Sequence, residues 1–303
     1  MRKNKFTYKI SFILVTLLLL SCKVNKEKET TQQVHSIPKF ELIAETSNLV
    51  HCESIAFDPI RNVLYVSVQS EQMPNDGSIA KISLEGEIIK ADFITGLNNP
   101  KGVAVSGNKL YVADITELVE IDLNTEKIIK KHQEKSAEFL NDVAIAESGE
   151  VYVSDMFTSS IFKLNNQGVF KNWFSSPELE NPNGLLVLKN NMFIAAWGSF
   201  TDKTPANAPQ GRFLQLDIAT KQITKITTNP IGNLDGVQEY DKDHFLLSDW
   251  KKGTVLNVSK SGVSKLFLTT EQSVGDILYL PKKQLLALPL KNGNKILIYK
   301  VAN

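Results

Sequence analysis

Apolar residues in this chain come in short runs broken by polar turns, and helical periodicity is nearly absent. One pattern recurs: a polar residue, a small residue, two or three apolar residues, a turn, then an apolar strand, usually with an aromatic. Its copies read Glu53-Ser-Ile-Ala-Phe, Lys101-Gly-Val-Ala-Val, Asn141-Asp-Val-Ala-Ile, Asn183-Gly-Leu-Leu-Val, Asp235-Gly-Val-Gln-Glu and, more weakly, Gly275-Asp-Ile-Leu-Tyr. The second strands begin at Leu64, Leu110, Val151, Met192, Phe245 and Leu285. Turns such as Ser106-Gly107-Asn108 and Glu147-Ser148-Gly149 separate the pairs.

The copies are spaced by 48, 40, 42, 52 and 40 residues. That period, with several short strands per unit, predicts an all-β, six-bladed β-propeller over residues 39–303 and excludes a solenoid of helix pairs. The sixth copy supplies three strands, Ile277–Leu280, Leu285–Leu288 and Lys295–Val301. A spare strand, Phe40–Glu45, precedes the first copy and is predicted to pair as the outer strand of the sixth blade, closing the ring. The fourth unit carries an insertion, Gly198–Arg212, whose Pro, Asn, Gly and Ala content predicts a loop.

Residues 1–38 lie outside the repeats. Arg2, Lys3, Lys5 and Lys9 precede an apolar run, Ile10–Leu20, which is too short for a comfortable bilayer span and suits a signal-peptide core. It ends in Leu19-Leu20-Ser21-Cys22, which resembles a bacterial lipobox. The expectation is a signal peptide over 1–21, lipidation at Cys22 and a polar tether to residue 38, anchoring the protein in the cell envelope by lipid alone. Only Cys52 then remains, so no intramolecular disulfide is expected. Across 303 residues the chain is 42% hydrophobic and 22% charged with a net charge of +1, ordinary globular values that give no basis for nucleic-acid binding. A monomer acting on a small molecule is expected.

In a propeller the inner strands line a central channel, so the residues just before those strands converge on one mouth. Here that set is Glu53, Lys101, Asn141, Asn183, Asp235 and Gly275. Any one alone reads as a turn residue. Together, four of them offer oxygen and two carry negative charge, which suits Ca²⁺ better than Mg²⁺ and lacks the His or Cys that zinc calls for.

Glu53, Asn141-Asp142, Asn183-Gly184 and Asp235-Gly236, each opening a blade, resemble the calcium-binding set of the SMP-30/gluconolactonase-like propellers, whose scaffold diisopropylfluorophosphatase and the paraoxonases share. The resemblance spans Phe40–Val301 and implies a catalytic Ca²⁺ in a hydrolase of lactones or related esters. Under it Glu53, Asn141, Asn183 and Asp235 hold the metal, and Asp235 is the candidate nucleophile or general base. Lys101, Trp197 and Arg212 are candidate substrate contacts, the insertion being placed to act as a lid that carries Asp202, Lys203 and Arg212. The chain departs from the family at Glu53-Ser54-Ile55, where members tend to have Glu-Gly-Pro, and its sugar-contacting Arg and Asn have no counterpart placed here. No His falls in the ring, and Asn99-Pro-Lys-Gly resembles an NHL-type blade start. The alternative is a non-enzymatic, ligand- or protein-binding envelope propeller with at most a structural calcium.

Overall fold

A computed structural model describes Met1, residues 38–69 and residues 75–302. The expected signal peptide, Cys22 and nearly all of the tether lie outside the described residues.

Six four-stranded antiparallel sheets form a six-bladed β-propeller, each blade running from an inner strand at the channel to an outer strand at the rim. The inner strands are Cys52–Asp58, Pro100–Ser106, Leu140–Ile145, Pro182–Leu188, Leu234–Glu239 and Leu278–Leu280. The ring closes as expected. Lys39–Ser47 pairs antiparallel with Lys295–Ala302, so strands from both ends of the propeller share the sixth blade. This pairing satisfies a backbone edge that would otherwise be open.

The blades are held by apolar layers between neighbouring sheets. Ile55, Leu64 and Val66 of the first blade pack on Leu278, Ala287 and Ile298 of the sixth. Tyr65 and Phe93 pack forward onto Val103, Leu110 and Val112 of the second. Strand alternation explains this two-sided burial, since successive side chains point to opposite faces of a blade. Each large apolar side chain so buried contributes about 1.5–3 kcal/mol.

At the mouth the ladders become irregular. Pairing between the inner and second strands breaks between Cys52 and Ile55, Pro100 and Val103, Leu140 and Val143, Pro182 and Gly184, and Leu234 and Val237. The five residues at the head of the first five repeats lie in these bulges, one residue inside the strand rather than just before it as the sequence suggested. Gly275 differs: it precedes the sixth inner strand outright. A bulge re-aims a side chain that a regular ladder would point into the sheet, and here it turns these groups to the channel.

Three serines near the ends of second strands steady the bulges of alternate blades. Ser67, Ser154 and Ser248 accept hydrogen bonds from the backbone N–H of Ser54, Asp142 and Gly236 at 3.0, 2.9 and 2.8 Å. Ser154 and Ser248 also donate to the carbonyls of Asn183 and Gly275 in the next blade, each at 2.6 Å. One hydroxyl thus serves an N–H and a C=O that the bulge has removed from the ladder.

Candidate functional site

The bulges bring Glu53, Asn141, Asn183 and Asp235 around one small cavity of about 10 Å³, with Ser54, Gly102, Asp142 and Asp276 completing its walls. The space is about that of one water or one ion. Glycines permit this closeness. A Cβ on Gly102 would lie 2.5 Å from Asp142 Cα and 2.6 Å from Asp142 Oδ1, so the second blade must be bare for the third to reach inward.

Lys101 is neither at the cavity wall nor turned to solvent. Its ammonium is buried, 3.0 Å from Glu53 Oε2, and lies over the Phe139 ring at 4.9 Å from the centroid. Lys291 reaches the same carboxylate oxygen at 3.5 Å. Burial alone would raise the Glu53 carboxyl, but the charges of Lys101 and then Lys291 outweigh it and hold it below the usual range. For Lys101 burial wins: it lowers the ammonium pKa despite the Glu53 charge.

Among the described residues the other acids of the cavity have no ion pair. Asp235 accepts a hydrogen bond from Asn183 Nδ2 at 3.0 Å, and burial followed by the charge of Glu53 holds its carboxyl well above the normal range. Asp142 receives the N–H groups of Leu185 and Val143 at 2.6 and 2.7 Å, yet burial and then the nearby Asp276 raise it as well. Asp276 accepts from Ser54 Oγ at 2.8 Å and is pushed up to about 6, mainly by burial. Asp142 and Asp276 escaped the sequence reading, although both follow the repeat-opening residue. The appearance of Asp at that second position in the third and sixth repeats, where the second, fourth and fifth have Gly, was the available signal.

These residues fit a hard divalent cation in chemistry. The donors are all oxygen and the cavity is of atomic size. Among the described residues the cations facing Glu53, Asp142, Asp235 and Asp276 are Lys101 and Lys291, so full ionisation leaves two negative charges to be balanced. Among the described residues no three His, Cys, Asp or Glu side chains form a metal cluster by themselves. The expected set draws half its members from amides.

The remaining candidates stand apart from the cavity. Trp197 is buried and donates Nε1–H to the Pro205 carbonyl at 2.8 Å. Arg212 pairs with Glu180 at 2.5 Å and donates to the Thr228 carbonyl. Lys203 pairs with Glu138 at 2.6 Å, and Asp202 accepts from the Thr204 N–H. The insertion is therefore a tied-down wall: Asn181 and Asn233 hold its backbone at Phe200 and Pro209, and Lys251 donates to the carbonyls of Ala206 and Ala208. Cys52 is buried, its Sγ 3.2 Å from the Lys295 carbonyl, and burial pushes the thiol up to about 12, which removes it as a nucleophile.

No protein-family model matches the sequence, and no curated protein does. Solved structures do resemble it. A Xanthomonas campestris gluconolactonase superposes with a TM-score of 0.65 at 14% identity, covering 87% of this chain and 90% of that one. A catalytically inactive virginiamycin B lyase from Staphylococcus aureus, solved with quinupristin, superposes at 0.57 and 10% identity, covering 86% of this chain and 99% of that one. At these identities the likeness establishes a shared fold and nothing finer.

Proposed function

We propose that the protein is a hydrolase of a lactone or related ester, working at the channel mouth with Ca²⁺ held by Glu53, Asn141, Asn183 and Asp235. The observation that carries this reading is the convergence of two carboxylates and two amides on one atom-sized cavity, backed by Asp142 and Asp276. A gluconolactonase on the same fold is in keeping with it. The cation would supply Lewis acidity toward a carbonyl oxygen and stabilise the charge that develops on attack. Glu53 keeps its negative charge through Lys101 and Lys291. Asn141 and Asn183 are neutral donors that add no charge, and the Asn183 amide orients Asp235. Asp235 takes the role of nucleophile or general base, since its carboxylate faces the cavity from a bulge rather than from a mobile loop.

The test is hydrolysis of a lactone and ester panel by the purified protein, with Ca²⁺ and after chelation. Turnover should require Ca²⁺ and be lost in Asp235→Asn without loss of fold. Ca²⁺ should raise the melting temperature with concentration, and Mg²⁺ should substitute poorly. A calcium-dependent melting shift without turnover would point to the binding propeller instead. No shift at all would sink the calcium reading.

We also propose that the protein is a lipid-anchored envelope protein, on the strength of Leu19-Leu20-Ser21-Cys22 after a short apolar run. Cys22→Ser should abolish acyl labelling and release the protein from membranes. Acyl labelling of that variant equal to wild type would refute the assignment.

A further inference from the structure

One apolar cluster is unlike the rest. The layers between blades are built from strand residues, mostly aliphatic, whereas Phe139, Met156, Phe157, Trp197, Phe200 and Trp250 come from loops at the mouth. Phe139 immediately precedes the third inner strand, and Met156 and Phe157 follow the second strand of that blade. Trp197 and Phe200 follow the second strand of the fourth blade, and Trp250 that of the fifth. In a propeller these are the channel-mouth ends of the strands.

The cluster adjoins the cavity residues. Met156 Sδ lies 3.9 Å from Asn141 Nδ2, and the Phe139 ring lies under the Lys101 ammonium that pairs with Glu53. Phe139 stacks on Phe157 at 4.3 Å between centroids, and Phe157 meets Phe200 edge-to-face at 6.1 Å. Phe139, Phe157, Phe200 and Trp250 are only half-buried, so the belt keeps accessible aromatic surface. The two amide side chains along the same wall are spent on the loop backbone. Asn181 donates to the carbonyls of Met156 and Phe200 and accepts the Phe200 N–H. Asn233 donates to Trp197 and Pro209, and the Trp197 indole N–H is taken by Pro205.

We infer that this aromatic belt is the substituent subsite of the mouth, so that the substrate is a lactone or ester carrying an apolar, ring-sized or alkyl group rather than a polyhydroxylated sugar lactone. The inference rests on the hydrolase reading for the reacting end of the substrate. The belt argues its other end: a polyol laid against it would lose water and find few free donors or acceptors, whereas an aryl or alkyl group gains aromatic contact. Burial of apolar substituents also explains why half-exposed Phe and Trp sit together at a functional mouth.

The experiment keeps one lactone ring and varies its substituent. γ-Butyrolactone, its γ-hexyl and γ-phenyl derivatives and glucono-δ-lactone are compared with the wild-type protein, Phe157→Ala and the conservative Phe157→Leu. The wild type should favour the hexyl and phenyl lactones over γ-butyrolactone, by about threefold in kcat/KM per methylene held in the belt. Phe157→Ala should lose about tenfold or more on the phenyl lactone but less than about twofold on γ-butyrolactone, with Phe157→Leu between. Preference for glucono-δ-lactone, or an equal loss on every substrate, would overturn the subsite while leaving the hydrolase reading intact. Binding of unreactive γ-phenyl-γ-butyrolactam, followed by tryptophan fluorescence, separates the remaining cases. If no lactone is turned over but lactam binding is present and lost in Phe157→Ala, the hydrolase reading fails and the subsite stands. Absence of both turnover and lactam binding overturns both.

Discussion

The two ends of the inner strands differ more than any two blades do. At their starts, inside the bulges, the chain presents Glu53, Asn141, Asn183 and Asp235 to a cavity of atomic size. Further along, where the ladders are regular, the same strands line a separate cavity of about 410 Å³ with Ile55, Val103, Val143, Ile145, Leu185 and Val187. Asp142 and Asp276 border both spaces. The lesson is a division of labour within one strand. A regular ladder alternates side chains between two apolar blade interfaces and carries the stability, while the bulge breaks that alternation and frees polar groups for the channel.

If regular pairing carries stability, the largest effect should come from breaking the closure far from the cavity. Removal of residues 39–47 takes away the whole outer strand of the sixth blade and its register with Lys295–Ala302. The expected outcome is loss of the cooperative thermal transition, or a transition lowered beyond that of any single substitution below, read by circular dichroism. A variant melting like the full chain would show that the ring does not depend on closure.

The bulged end should be costly where charge is buried. Glu53→Gln leaves the Lys101 ammonium without its partner in a buried position, and breaking such a pair costs about 3–5 kcal/mol. Adding Lys101→Met should recover much of that loss, because an apolar side chain of similar length can then pack on Phe139. Urea unfolding of the single and double variants measures both. If Glu53→Gln unfolds at the wild-type urea midpoint, the ion pair is not a structural element of the ring.

How much of this was legible in the sequence follows from the same division. The regular strands announce themselves, because burial on both faces imposes apolar runs at a repeating period, so the blade count, the closing strand Phe40–Glu45 and the insertion at Gly198–Arg212 could all be read. The repeat-opening residues were legible as a register. Their geometry was not. A bulge has no composition of its own, so the sequence placed Glu53 and its counterparts before the strands when they lie within them. Lys101 was equally suited to bend into solvent or inward, since nothing in Pro100-Lys101-Gly102 records that Glu53 and Phe139 approach from other blades. The aromatic belt was invisible for a related reason: Phe139, Phe157, Phe200 and Trp250 are scattered over more than a hundred residues, and only the ring brings them together. Arg212 and Lys203 read as mouth charges, but Glu180 and Glu138 draw them aside.

The smallest expected effect tests what holds a bulge in shape. Ser154 is fully buried, and its hydroxyl accepts the Asp142 N–H at 2.9 Å and donates to the Asn183 carbonyl at 2.6 Å. It therefore ties together the backbones that carry Asn141 and Asn183. Ser154→Ala removes one oxygen and creates almost no cavity, but strands a buried donor and a buried acceptor that the bulge has taken out of the ladder. Stranded groups of this kind cost about 1–3 kcal/mol. For a domain of this size each kcal/mol lowers the melting temperature by about 2–4 °C. The exposed Ser148, in a turn at the other end of the same second strand, is the control: Ser148→Ala should stay within about 0.5 kcal/mol of wild type. If Ser154→Ala also weakens the calcium-dependent melting shift, the hydroxyl sets the spacing of Asn141 and Asn183 and not merely the stability of the blade. Equal melting of the two variants would mean that the bulge holds its shape without the serine, and that the alternation of Ser67, Ser154 and Ser248 around the ring has no structural consequence.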